Sequence, residues 1–229
     1  MPLLVLFDVD GTLFLTHDPL AGQAMRETLS ATFGAPLPED AVERVDHLGQ
    51  TSLRIARLVL RDAGLGEAAI DDGLQGWCGS FGERYLELLA DADTSGWESA
   101  PGAGAALSRL QAAGVQLALL TGNPEPVARA RMELLGLEGY FSERQGAFGC
   151  EGESRAKLVY LARERAGGRP VEQTVEVGDT LSDVESAHES GIRSIIVPSP
   201  RGSGERFRDA DAVCDDLEGV SAQLLAWAG

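Results

Sequence analysis

An apolar run, Leu3 to Phe7, ends abruptly in Asp8-Val9-Asp10-Gly11-Thr12. A second apolar run leads into Thr121-Gly122-Asn123, and a third into Gly178-Asp179 with Asp183 just beyond. A carboxylate at the end of a buried strand costs free energy unless a cation compensates it. Several acids converging on one edge, with hydroxyls nearby, suit a hard oxygen-binding ion such as Mg²⁺. Such an ion keeps waters and takes one or two carboxylates. Asp8 and Asp179 fit that part, and the Asp10 backbone carbonyl is available as a further oxygen ligand.

The elements that must hold these residues follow from hydrophobic spacing. Leu3–Phe7 reads as a buried central strand of a parallel sheet. Loops at the carboxyl ends of such strands are where open α/β sheets bind ligands. Between about Thr16 and Gly96 the pattern turns wholly helical, over Gln23–Phe33, Gln50–Ala63 and Gly76–Ala90. If those helices belonged to the sheet layer, about 80 residues would pass between consecutive strands, far beyond an ordinary crossover. They read instead as an inserted all-helical unit. After Pro101 strands and helices alternate. A helix at about Gly102–Ala113 precedes a strand at Val115–Leu120, and a helix from Pro124 runs to Leu135. Ser154–Ala166 reads as a helix capped by Ser154. Then come a strand at Val175–Val177, a helix at Leu181–Ser190 closed by Gly191, a strand at Ser194–Val197 and a last helix at Leu217–Trp227. Repeated β–α units predict an α/β fold with a Rossmann-like parallel sheet and right-handed crossovers. The expected division is a core of residues 1–15 and 97–229 with a helical cap of residues 16–96.

Composition narrows the partners. The formal net charge of −17 opposes binding to a nucleic-acid backbone or to an anionic membrane. The expected partner is a small molecule; nothing in the sequence addresses oligomeric state. The initial apolar run is too short for a secretory signal, and no stretch approaches the roughly 20 apolar residues of a membrane span. Both point to the cytoplasm. The three cysteines, 78, 150 and 214, have no CxxC spacing and an odd count, so reduced thiols are expected. Lys157 is the single lysine.

Asp8-Val9-Asp10-Gly11-Thr12-Leu13, Leu119-Leu120-Thr121-Gly122-Asn123 and Gly178-Asp179-Thr180-Leu181-Ser182-Asp183 resemble the first, second and fourth motifs of the haloacid dehalogenase-like superfamily. They occur in that family's order and span nearly the whole chain. The resemblance implies a Mg²⁺-dependent phosphatase acting on a small phosphorylated metabolite. Asp8 would be the nucleophile, forming an aspartyl-phosphate. Asp10 would protonate the leaving alkoxide and then activate water. Thr121, with Gly122 and Asn123 beside it, would bind the phosphoryl group. Asp183 would coordinate the metal or brace the site from behind its ligands. The helical insert corresponds to the family's cap, with Gly49-Gln50-Thr51 in the place of a substrate loop and Arg44, His47 and Arg54 nearby to meet an anionic tail.

The third motif departs from the family pattern. Many relatives carry Lys-Pro there; this chain reads Glu153-Ser154-Arg155-Ala156-Lys157-Leu158. A cation is needed to relieve repulsion between Asp8 and an incoming phosphate, and either Arg155 or Lys157 can supply it, with the register favouring Arg155. Haloacid dehalogenation needs no proton donor, so Asp10 argues against it. Phosphonate cleavage in relatives uses a cap lysine, which this insert lacks. A β-phosphoglucomutase-like sugar phosphomutase shares the cap and the second Asp and stays open. A non-catalytic scaffold would leave the intact acidic motifs unexplained.

Overall fold

A computed structural model describes residues 3–199 and 207–228. Strand β1 is Leu4–Phe7, β2 Gln116–Thr121, β3 Ala147–Phe148, β4 Thr174–Gly178, β5 Arg193–Ile196 and β6 Ala212–Val213. They form one parallel sheet in the order β3-β2-β1-β4-β5-β6. β1 is central, and its alternation fills both faces. Val5 and Phe7 pack with Leu117, Leu119, Val175 and Val177 on one side, and Leu4 and Leu6 pack with Ala118, Leu120 and Leu158 on the other. Two-sided burial explains why β1 reads as a continuous apolar run rather than as an alternating one. Helices α4 (Ala103–Ala112), α5 (Glu125–Leu134), α6 (Arg155–Arg165), α7 (Leu181–Glu189) and α8 (Leu217–Ala228), numbered after the three of the insert, cover the sheet.

The insert between β1 and α4 holds α1 (Pro19–Phe33), α2 (Ser52–Asp62) and α3 (Glu67–Ala90). Its apolar interior joins Leu29, Leu60, Ile70, Trp77 and Phe81. The buried Trp77 indole donates to Thr28 Oγ1 (2.8 Å), which donates to the Ala24 carbonyl (2.7 Å), so its N–H is satisfied. The chain leaves and re-enters the core side by side. Leu15 N donates to Glu98 O (3.1 Å) and Glu98 N to Thr16 Oγ1 (2.8 Å).

Several local expectations are corrected. α1 begins at Pro19, with Asp18 as its N-cap accepting from Leu20 N at 2.9 Å. α3 begins at Glu67 and not at Gly76, because Gly73, Gly76 and Gly79 lie inside it; a Cβ at Gly73 would come within 2.7 Å of the Phe33 ring. α2 begins after Gln50 and Thr51, with Thr51 as its cap. Ser154 stands at the N-cap of α6, but its side chain makes no capping bond. β3 and β6 are two residues each and too short for a periodic signal. The expectation of reduced thiols is corrected too. Cys78 on α3 and Cys150 after β3 form a disulfide, with Cα atoms 5.9 Å apart. Spacing rules address local pairs; these two are 72 residues apart and are brought together by the fold. Cys214 is free and half-buried.

Candidate active site

The parallel register aligns the chemistry. Phe7 pairs with Leu119 and with Val177, so Asp8, Thr121 and Asp179 emerge at one edge of the sheet. Asp8 is 4% exposed, and its N–H donates to Val177 O at 2.9 Å. The turn behind it is tight: Leu13 N and Phe14 N both donate to Val9 O (2.9 and 2.8 Å). Gly11 has φ +85°, and a Cβ there would sit 2.0 Å from Asp179 Oδ2. Only glycine fits that approach.

Asp8, Asp179 and Asp183 are buried, and each offers a carboxylate oxygen within 4.8 Å of the others. Burial pushes Asp8 well above the usual carboxylate range, and the charges of Asp183, Asp179 and Asp10 push it further; Arg155 opposes them. Three crowded carboxylates facing one buried arginine fit a divalent cation by donor chemistry. Asp183 is also tied locally. Its Oδ2 accepts from Thr180 Oγ1 (2.7 Å), Thr180 N (2.9 Å) and Asp179 N (3.2 Å), a capping box at the start of α7.

Arg155 is 8% exposed. Its Nη2 donates to Asp183 Oδ1 and to Glu176 Oε1 (3.2 Å) and lies 3.9 Å from Asp8 Oδ1; its Nη1 reaches Gly49 O at 3.4 Å. Lys157 is exposed on α6, with its stem over Gly152, and does not line the cleft. Of the two rivals in the third motif, Arg155 is therefore the cation placed beside Asp8.

Asp10 stands at the cleft wall. Asn123 Nδ2 donates to its Oδ2, and Arg131 Nη1 donates to both its oxygens (2.9 and 3.0 Å). Thr121 is buried, and its Oγ1 accepts from Asn123 Nδ2 (3.0 Å) and Asn123 N (3.3 Å); the N-cap of α5 is Pro124 and not Thr121. The insert meets the core at this place. Ser52 N and Oγ each donate to Gly122 O at 2.8 Å, and Leu53 N donates to Gly149 O at 3.2 Å. A Cβ on Gly122 would lie 2.1 Å from Gln50 O, and one on Gly49 2.6 Å from Ser182. The cleft enclosed between the two parts has a volume of about 640 Å³. Gly49, Gln50 and His47 line it. Thr51 does not, because its hydroxyl caps α2 by accepting from Arg54 N at 3.2 Å. Arg54 is half-buried on α2 away from the cleft, and Arg44 pairs with Asp40 (2.9 Å) on the surface.

A sequence profile of the haloacid dehalogenase-like hydrolases matches residues 3–191. The chain belongs to that family. Phosphoglycolate phosphatase of Rhodospirillum rubrum is 33% identical over 231 residues, covering 100% of this chain and 92% of its own. Tyrosine-protein kinase PtkA of Mycobacterium tuberculosis is 34% identical over 202 residues, which cover 86% of this chain; the chain spans 62% of PtkA's length. The crystal structure of CbbY from Rhodobacter sphaeroides in complex with phosphate shares the fold, with a TM-score of 0.63 at 23% identity over 95% of each chain. Among the described residues no helix is long and apolar enough to cross a membrane.

Reading the sequence missed four polar residues packed around this site. Glu176 lies in mid-β4 with no exposure, accepting from Ser186 Oγ (2.8 and 2.7 Å) and from Arg155. Its signal was a charge inside an otherwise apolar strand. Burial first, and Asp183 with it, raise its pKa to about 8 against the bonds from Arg155 and Ser186. Arg131, Asp18 and Tyr85 gave no signal, because each looks like an ordinary helix residue until the fold brings them together.

Proposed function

We propose that this chain is a Mg²⁺-dependent phosphatase that hydrolyses a small phosphate monoester through an aspartyl-phosphate on Asp8, within a core of residues 1–15 and 97–229 capped by residues 16–96. The observation that carries the reading is the pair of strand-end acids in different surroundings. Asp8 is buried 3.9 Å from the Arg155 guanidinium, and Asp10 is 25% exposed at the cleft. Paired carboxylates whose environments differ divide the nucleophile from the acid–base. Mg²⁺, held by Asp8, Asp179 and the Asp10 carbonyl with Asp183 behind or beside them, would supply positive charge to the phosphoryl oxygens.

An Asp8 oxygen attacks phosphorus in line, and the ester P–O bond breaks as Asp10 gives its proton to the departing alkoxide. Asp10 then takes a proton from water, whose oxygen attacks phosphorus. The bond to Asp8 breaks, and inorganic phosphate leaves. Arg155 offsets the charge of the incoming phosphate from the protein side. Its Nε is buried with no hydrogen-bond partner among the described residues, as is Thr12 Oγ1, and a buried donor left unmade costs about 1–3 kcal/mol. The insert lying over the cleft excludes water and reads the leaving group.

The test is phosphate release from p-nitrophenyl phosphate and a panel of small phosphate esters, with Mg²⁺ or with EDTA. Release that requires Mg²⁺ and vanishes in Asp8→Asn supports the reading. Conversion of a hexose 1-phosphate to its 6-phosphate without release would favour a mutase. The name of the PtkA relative adds one arm, ATP with a tyrosine peptide; phosphorylation of the peptide without ester hydrolysis would replace the phosphatase reading.

A further inference from the structure

We propose that Arg131 is a positioning residue for Asp10 and that it links the setting of that carboxylate to the cap through Asp18 and Tyr85. This rests on the acid–base role given to Asp10 above. Arg131 belongs to α5 in the core, and its side chain is 3% exposed. Its Nη1 holds both Asp10 oxygens (2.9 and 3.0 Å), and its Nη2 and Nε donate to Asp18 Oδ2 (2.7 and 3.3 Å). Asp18 is the N-cap of α1, its side chain is 2% exposed, and its Oδ2 also accepts from Tyr85 Oη on α3 (2.9 Å). The guanidinium lies over the rings of Phe14 (4.9 Å) and Tyr85 (5.8 Å). One side chain thus joins the catalytic loop, the core helix and two cap helices.

A merely structural strut accounts poorly for this arrangement. A buried ion pair is weak evidence of stability, because well-packed apolar residues often serve as well. Here one cation is shared between two acids of which one lies at the cleft. Asn123 Nδ2 donates to Asp10 Oδ2, which Arg131 also holds, so donors on two residues fix the carboxylate. Moving α1 and α3 moves Asp18 and Tyr85, and with them the second half of the Arg131 clamp. The proton donor is therefore in its set position when the cap is seated on the core.

Leaving-group dependence tests this. p-Nitrophenolate departs without a proton, whereas an alkoxide such as glycerol needs one. kcat/KM reports the steps through the first phosphoryl transfer, so it isolates the acid role. Arg131→Met is expected to lower kcat/KM for glycerol phosphate by on the order of 10-fold more than for p-nitrophenyl phosphate. Arg131→Lys is expected to recover part of that difference, and Asp10→Asn to show the same leaving-group pattern. Asp18→Asn, which keeps the arginine, provides the variant if Arg131→Met fails to fold, and is expected to show the pattern more weakly. Equal losses on both esters in folded variants would overturn the proposal alone. A wild-type chain inactive on both would overturn the phosphatase reading and this proposal with it.

Discussion

Glu176 shows how a single buried group contributes to the protein's response to pH. Its carboxyl is raised to about 8 in the folded chain from an ordinary value of 4.5, with burial as the first cause. The folded state therefore holds a proton that the unfolded state has lost. This contribution to stability is fully present below about 4.5 and is lost as pH rises through about 8. Glu176→Gln is expected to flatten the fall in stability across that window, read by urea unfolding in EDTA at a series of pH values; an unchanged slope would contradict it. Gly11 sets a steric condition at the same scale. Any side chain there meets the Asp179 carboxylate and must adopt φ +85°. Gly11→Ala is expected to cost about 1–3 kcal/mol and to remove most activity, measured by denaturant midpoint and kcat. Asp8 and Asp179 were legible because each stands at the carboxyl end of an apolar strand. Glu176 left the same kind of mark within β4. Arg131, Asp18 and Tyr85 were not legible, because their meaning comes from partners more than 60 positions away, such as Tyr85 on Asp18.

At the scale of elements, the sheet was readable because its central strands are buried on both faces, and the helices were readable in their middles. The errors fell where packing overrides local preference. α3 runs through four glycines, and neighbours crowd two of them, Phe33 at Gly73 and Pro126 at Gly82. β3 exists only because β2 lies beside it. The loop 49–51 was expected to present substrate contacts, and it divides: Gly49 and Gln50 face the cleft while Thr51 turns to cap α2. It meets the core where Gln50 O approaches Gly122 and where Arg155 Nη1 donates to Gly49 O (3.4 Å). Gly122→Ala would place a carbon 2.1 Å from Gln50 O and force the loop away. The variant is expected to raise KM by on the order of 10-fold while its circular dichroism stays that of the parent, in keeping with the cost of misplacing a positioning element. An unchanged KM would contradict the seating of the cap loop on the second motif.

For the whole molecule, the Cys78–Cys150 disulfide joins α3 of the cap to the loop after β3 in the core. Cross-linking residues this far apart restricts the unfolded chain and stabilises the fold by roughly 2–4 kcal/mol. Reduction, or Cys78→Ser, is expected to lower Tm by several degrees in differential scanning calorimetry; an unchanged Tm in dithiothreitol would show that the bond carries no stability. The same bond ties the insert to the core; on the proposed reading, in which the insert covers the cleft as a cap, kcat in reductant is expected to exceed kcat without it. Sequence spacing gave no hint of this pair, since contact between positions 78 and 150 is a property of the assembled fold. Net charge was legible in the sequence, whereas the two arginines that line the cleft, Arg155 and Arg131, are brought there by the fold.

The most direct test of the central claim is to trap the covalent intermediate. Asp10→Asn protein, mixed with ³²P-labelled p-nitrophenyl phosphate, whose leaving group needs no proton, and Mg²⁺, then quenched in acid, should retain label on the peptide containing Asp8, and Asp8→Asn should retain none. Release of labelled phosphate with no labelled protein, or label on any other residue, would contradict Asp8 as the nucleophile.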